Sequence, residues 1–233
     1  MAEQNLTELT AEEAASIAQI EQDKDALAAL IEDLGSASRR KRQISAHVVH
    51  LVAERDAELL EPYVADLLDA LERPEAQTRW ELFDALAYLM PTHAKEIGTA
   101  YDACEEALFD ELSATLRLSA FHLLCVWGAT ERGRSKKVWP LLDEAIQCFH
   151  GDMEYRDMLG FLHDFAQGKI EGGVAGELAG RLHFDAQNGK GAYLKARSGE
   201  IYDMLVKRFK LEKPQKRTRA AAKGGDDGTE DEE

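Results

Sequence analysis

Apolar positions along the chain recur at intervals of three and four residues, the spacing that places side chains on one face of a helix. Ile17, Ile20, Leu27, Leu30, Ile31 and Leu34 form the first such stripe, and Gly35 ends it. Thr10 and Glu13 precede the stripe in capping-box register, so the pattern predicts one helix over 10–34. The rest of the chain is dense in Ala, Leu, Glu, Asp and Arg, which favour helix, and poor in the β-branched clusters that strands need. Breaks are few, and the prolines are confined to Pro62, Pro74, Pro91, Pro140 and Pro214. The body therefore reads as all-α.

The helices repeat. Arg42, Arg79, Arg117, Arg156 and Arg197 each stand near the start of a predicted helix, at separations of 37, 38, 39 and 41 residues. Behind each of the first three arginines comes a matching apolar or small group: Ser45, Ala46 and Val49, then Leu82, Phe83 and Leu86, then Ala120, Phe121 and Leu124. Leu159, Gly160 and Leu162 repeat it with a slip, and Ile201 and Met204 more loosely. A second helix follows in the first four units. In units one and three its start is placed at matched prolines, Pro62 and Pro140, 78 residues apart.

Two helices per unit at a period near 40 residues is the signature of an α-solenoid. The segments SRRKRQISAHVVHLV, QTRWELFDALAYLMP, ATLRLSAFHLLCVWG and EYRDMLGFLHDFA, with their following helices, resemble HEAT and armadillo-type repeats over residues 36–209. That resemblance implies a right-handed all-α solenoid of about four to five hairpins sharing one continuous core. Residues 1–35 are expected to cap it at the N-terminus and helix 192–209 at the C-terminus. The fourth unit departs from the pattern in its glycine-rich KIEGGVAGELAG. From 210 to 233 large apolar residues nearly vanish, and a basic block gives way to an acidic run, the composition of a disordered tail.

Charge refines this picture. The 233 residues carry a net charge of −16, and the tail's six basic side chains nearly cancel its seven acidic ones. The surplus therefore belongs to the helices. Such a body is ill suited to gripping phosphates, which leaves tail residues 216–223 (KRTRAAAK) as the stretch with nucleic-acid character. No run reaches the length of a membrane helix, and the acidic N-terminus lacks the features of a secretion signal, so a cytoplasmic location with no membrane partner is expected. Cys104, Cys125 and Cys148 are too few and too widely spaced for a disulfide scaffold or a Cys-x2-Cys zinc site.

On a helical wheel the first helices of units one to three leave one face free. It carries Gln43, His47 and His50, then Trp80 and Asp84, then Leu118, His122 and Cys125. His47 and His50 stand one turn apart, yet neighbouring helices about 10 Å away do not converge on a metal, so the polar residues here are expected to be solvated and no metal or cofactor is assigned. Adjacent Trp80 and Leu118 suggest a contact surface. Trp139, beside Pro140 on a second helix, and Asp143 one turn on are the further candidates for partner binding, because second helices commonly line the concave side; core filling is the competing reading of Trp139. The periodic Arg42, Arg79, Arg117 and Arg156 suit an inter-repeat ion-pair ladder. Arg39 to Arg42 are placed before a helix and Arg132 to Lys137 in a turn, on opposite rims.

No GxSxG elbow, P-loop or GxGxxG motif is present. The enzymatic alternative resembles the bacterial DNA alkylation repair glycosylases, with Trp80–Asp84 or Trp139–Asp143 as the aromatic–carboxylate pair. The acidic body opposes it. The reading carried forward is a non-catalytic scaffold binding a protein partner on its concave face, with acidic second helices (Asp66, Asp69, Glu105, Glu106, Asp143, Glu144) favouring a basic segment.

Overall fold

The computed structural model describes residues 10–212; the predicted tail lies outside the described residues from 213 onward. Among the described residues every regular element is helical. Two short helices, α1 (Ala11–Gln22) and α2 (Lys24–Asp33), precede the stack. The capping box at Thr10 and Glu13 is formed, but the helix predicted over 10–34 is broken. Asp23 adopts an extended backbone, and its carboxylate accepts from the amides of Asp25 and Ala26, starting a new helix.

The repeating first helices are α3 (Arg39–Asp56), α5 (Ala76–Ile97), α7 (Ala114–Gly128), α9 (Tyr155–Gln167) and α11 (Ala192–Phe209). The second layer consists of α4 (Val64–Asp69) with flanking 3-10 turns, α6 (Tyr101–Leu108), α8 (Arg132–Phe149) and α10 (Gly172–Asn188). Pro91 lies within α5, and His93 behind it leaves helical geometry, so the helix is kinked there. Between the layers runs one core that includes Phe83, Phe121, Phe165, Leu86, Leu124 and Leu162.

Three boundaries differ from the sequence pattern. Arg39 to Arg42 form the first turn of α3, capped by Ser38, rather than preceding it. Arg132 to Lys137 likewise form the first turns of α8, whose start lies eight residues before Pro140; the proline sits within that helix, as Pro62 sits in a 3-10 turn. Stacking against neighbours overrode the local breaker signal. The glycine-rich segment also becomes helix, α10, capped by the carboxylate of Glu171.

First helices pack closely on one another, α3 on α5, α5 on α7 and α7 on α9, whereas successive second-layer elements scarcely meet. A stack that is tight in one layer and open in the other curves towards the tight layer. The first helices are therefore the tightly stacked layer, called the inner layer below, and the second helices the open one. Close approach is required where Gly128 ends α7: a Cβ there would stand 2.5 Å from Val138 of α8 and 2.9 Å from the Phe165 ring of α9.

Candidate functional site

At the N-terminal ends of the first helices the repeat arginines alternate in what they bind. The Arg42 guanidinium donates to the carboxylate of Glu75, the residue that caps the next first helix, and to the carbonyl of Ser36 at 2.7 Å. Arg117 repeats this, binding Glu154 ahead of α9 and the Asp110 carbonyl at 2.6 Å. Both arginines are largely buried, as are their carboxylates. The residue capping α7 is Ser113, which offers no carboxylate, so Arg79 turns to the Ala103 carbonyl and the exposed Glu106 of α6. Gly191 caps α11, and Arg156 instead lies over the Tyr193 ring, 4.5 Å from its centroid.

A second ladder, built on histidine, crosses the free face of the first helices. His47 Nε2 meets Glu13 of α1 at 3.0 Å, and its Nδ1 meets Glu81 of α5 at 3.0 Å. His50 Nδ1 meets the other oxygen of Glu81 at 2.7 Å. Carboxylates only accept, so the ring that satisfies both neighbours of His47 is the imidazolium. Burial works against charge on both rings, but the carboxylates outweigh it and hold each histidine above its ordinary value. Glu81 is also buried, and its two histidines hold it below its ordinary value despite that burial. Further along, Asp84 accepts from Ser119 at 2.9 Å and faces His122 at 3.6 Å, and His163 stands 3.6 Å from Glu200. His47, Asp84 and His122 are thus half-buried and paired between repeats, not solvated as expected. Each inter-repeat pair spans about one period, the signal by which Glu13 and Glu81 could have been found.

The other candidates divide by layer. Trp80 and Leu118 are half-buried and pack against the core from the inner side. Ile44, 52% exposed, and Tyr88 share that face; Ile44 lines a groove of about 460 Å³ with Glu13, His47 and Gln77, and Tyr88 packs beside His50. Trp139 is only 5% exposed, with its indole N–H donating to Glu177 of α10, so a partner would have to displace that helix to reach it. Asp143 is held by Arg181 through two bonds of 2.8 and 2.7 Å. Both second-layer contact candidates thus serve α8–α10 packing. The two aromatic–carboxylate pairs considered for DNA repair have their carboxylates occupied by these same neighbours.

Cys125 is buried rather than on the free face, as is Cys104, while Cys148 is exposed. Burial pushes the thiols of Cys104 and Cys125 up, away from nucleophilic thiolate. Among the described residues no group of three or more His, Cys, Asp or Glu is arranged to hold a metal ion. No described helix is long and apolar enough to cross a membrane.

The geometry has counterparts among solved structures. A designed armadillo repeat protein superposes with a TM-score of 0.60 at 15% identity, over 83% of this chain and 87% of that one. The armadillo-repeats-only protein of Plasmodium falciparum gives 0.59 at 11% identity, over 85% and 100%. The fold is an armadillo/HEAT-type α-solenoid. An archaeal HEAT-like repeats protein from Thermococcus onnurineus matches this solenoid with a TM-score of 0.51 at 12% identity, over 86% and 94% of the two chains. No family model and no curated protein matches the sequence.

Proposed function

We propose that this armadillo/HEAT-type solenoid is a non-catalytic scaffold whose inner face holds a basic segment of another protein. The observation that carries the reading is the composition of that face. Exposed Ile44 and Tyr88 stand among half-buried Trp80 and Leu118, giving apolar anchors spread over successive rigid helices. Carboxylates of Glu54 and exposed Asp164 lie on the same face by helical register, and the chain as a whole carries −16. Such a surface selects lysine or arginine beside apolar side chains and repels acidic segments. The acidic second helices, by contrast, belong to the outer layer.

The test is recovery of partners from the native cell with wild-type protein and with the double variant Ile44→Ser, Tyr88→Ser. Both positions are exposed, so folding should survive. Loss of one discrete partner, whose binding to wild type weakens as salt rises, supports the reading. Retention of every partner by the folded variant, or binding insensitive to salt, contradicts it.

A further inference from the structure

A second surface lies on the rim where the first helices begin. Leu112 is 96% exposed and Met153 87% exposed, at matched places in the loops preceding α7 and α9. Neither loop is loose. The Asp110 carboxylate accepts from the amides of Leu112 and Ser113, at 2.9 and 2.7 Å. The Arg117 guanidinium then joins the two loops, binding the Asp110 carbonyl and the Glu154 carboxylate together. Two large apolar side chains are therefore presented from two joined loops on a fixed backbone, which lowers the ordering cost of a contact.

Next along the same rim is a groove of about 730 Å³ between the loop that follows α8 and helices α9, α10 and α11. Its walls include exposed Phe184 and Tyr193, with Arg156 and Lys190 supplying positive charge. Two carboxylates also line it. Asp185 is buried and already bound by His150 and the Tyr155 hydroxyl, while Asp152 is exposed. Arg156 is the fourth of the repeat arginines. In rungs one and three the equivalent guanidinium is closed by a glutamate from the next helix start, and here that place in the sequence is Gly191, which brings no side chain. Among the described residues the Arg156 guanidinium keeps only its aromatic stacking partner, and Arg156 lines the groove.

We propose that this rim is a second docking surface, taking a partner segment in which a glutamate is flanked by apolar side chains. The glutamate closes the fourth rung on Arg156 as Glu75 and Glu154 close the first and third. The apolar neighbours pack on Tyr193 and Phe184 and extend towards Met153 and Leu112. This site is separate from the inner face in position and in charge preference.

The test titrates the full chain, labelled with 15N, with the capped peptide Ac-Leu-Glu-Leu-NH2 and its Gln analogue. The expected result is perturbation of the Arg156 Nε–H, Gly191 and Tyr193 signals by the Glu peptide, with at least about tenfold weaker binding of the Gln peptide, the loss of a charge-assisted bidentate pair. Arg156→Gln abolishes the difference between the peptides. Arg156→Lys, which keeps the charge without the fork, restores it only in part. Ala192→Glu supplies a carboxylate from the chain itself and competes with the Glu peptide. Equal binding of the two peptides, or perturbations that leave Arg156 and Tyr193 untouched, overturns the proposal while leaving the inner-face reading in place.

Discussion

Arg42 and Glu75, 33 residues apart in the chain, meet in a forked ion pair that fastens the start of one first helix to the start of the next. Arg117 and Glu154 pair in the same place two units along, 37 residues apart, with two guanidinium donors on one carboxylate oxygen. The intervening Arg79 has no such partner, because Ser113 stands where a glutamate would be needed. The solenoid thus alternates between strong and weak rungs, a period of two units.

Removing a strong rung should cost more than removing a weak one. Arg117→Ala leaves the Glu154 carboxylate buried without its partner, and the expected loss is about 3–5 kcal/mol. Arg79→Ala strands only the exposed Glu106 and the Ala103 carbonyl, so about 1 kcal/mol is expected. Urea unfolding of both variants measures the difference. Equal losses would show that the rungs are not the distinguishing feature.

The histidine ladder predicts a pH dependence with a definite sign. His47 and His50 are held above their ordinary value of 6.5 by Glu13, Glu81, Asp84 and Glu54. Their contribution is fully present below 6.5 and is lost as pH rises through the raised folded values. Glu81 is held below its ordinary 4.5, so its contribution is present above 4.5 and fades as pH falls through its lowered value. Glu13, hydrogen-bonded to Thr10 and His47, is lowered to about 2 and stays charged throughout. The junction of α1, α3 and α5 is therefore firmest between pH 4.5 and 6.5. Amide exchange in α1, corrected for intrinsic rates, should be slower at pH 6 than at pH 8.5. In His47→Gln that contrast should shrink.

Two helical glycines should respond to alanine in opposite directions. Gly128→Ala drives a methyl into Val138 and the Phe165 ring, and overpacking of this kind costs about 1–3 kcal/mol. Gly160, inside α9, has nothing within 4 Å of a built Cβ. Its replacement by alanine should raise stability by about 0.5–1 kcal/mol through helix propensity. Thermal unfolding of the two variants decides both.

Trp139→Ala separates packing from recognition. The indole is buried and its N–H is bound to Glu177, so its loss should destabilise the protein by about 3–5 kcal/mol. A variant of unchanged stability that had lost a partner would return Trp139 to the binding surface.

Period and helicity were legible in the chain because both follow from local spacing: the arginine positions, the capping box at Thr10 and the helix over 192–209 all follow from it. What misled was punctuation. Pro140 reads as a helix start, yet packing of α8 against α7 carries the helix back to Arg132. Asp23 reads as an ordinary helical residue, yet its side chain starts a new helix. Layer assignment was illegible for a different reason. Which helices line the inner face depends on how tightly each layer stacks, a property of pairs of helices far apart in sequence. Trp139 and Asp143 are taken up by α8–α10 contacts in the openly stacked layer, while Trp80 and Leu118 lie in the tightly stacked one.

The inner-face reading is tested most directly by placing a photo-crosslinking amino acid at Ile44, at Tyr88 and, as an outer-layer control, at Glu144, and irradiating intact native cells. The inner positions are predicted to give adducts with one shared protein, through a segment rich in lysine or arginine, while Glu144 does not capture that protein. Adducts from Glu144 with none from Ile44 or Tyr88 would contradict the account.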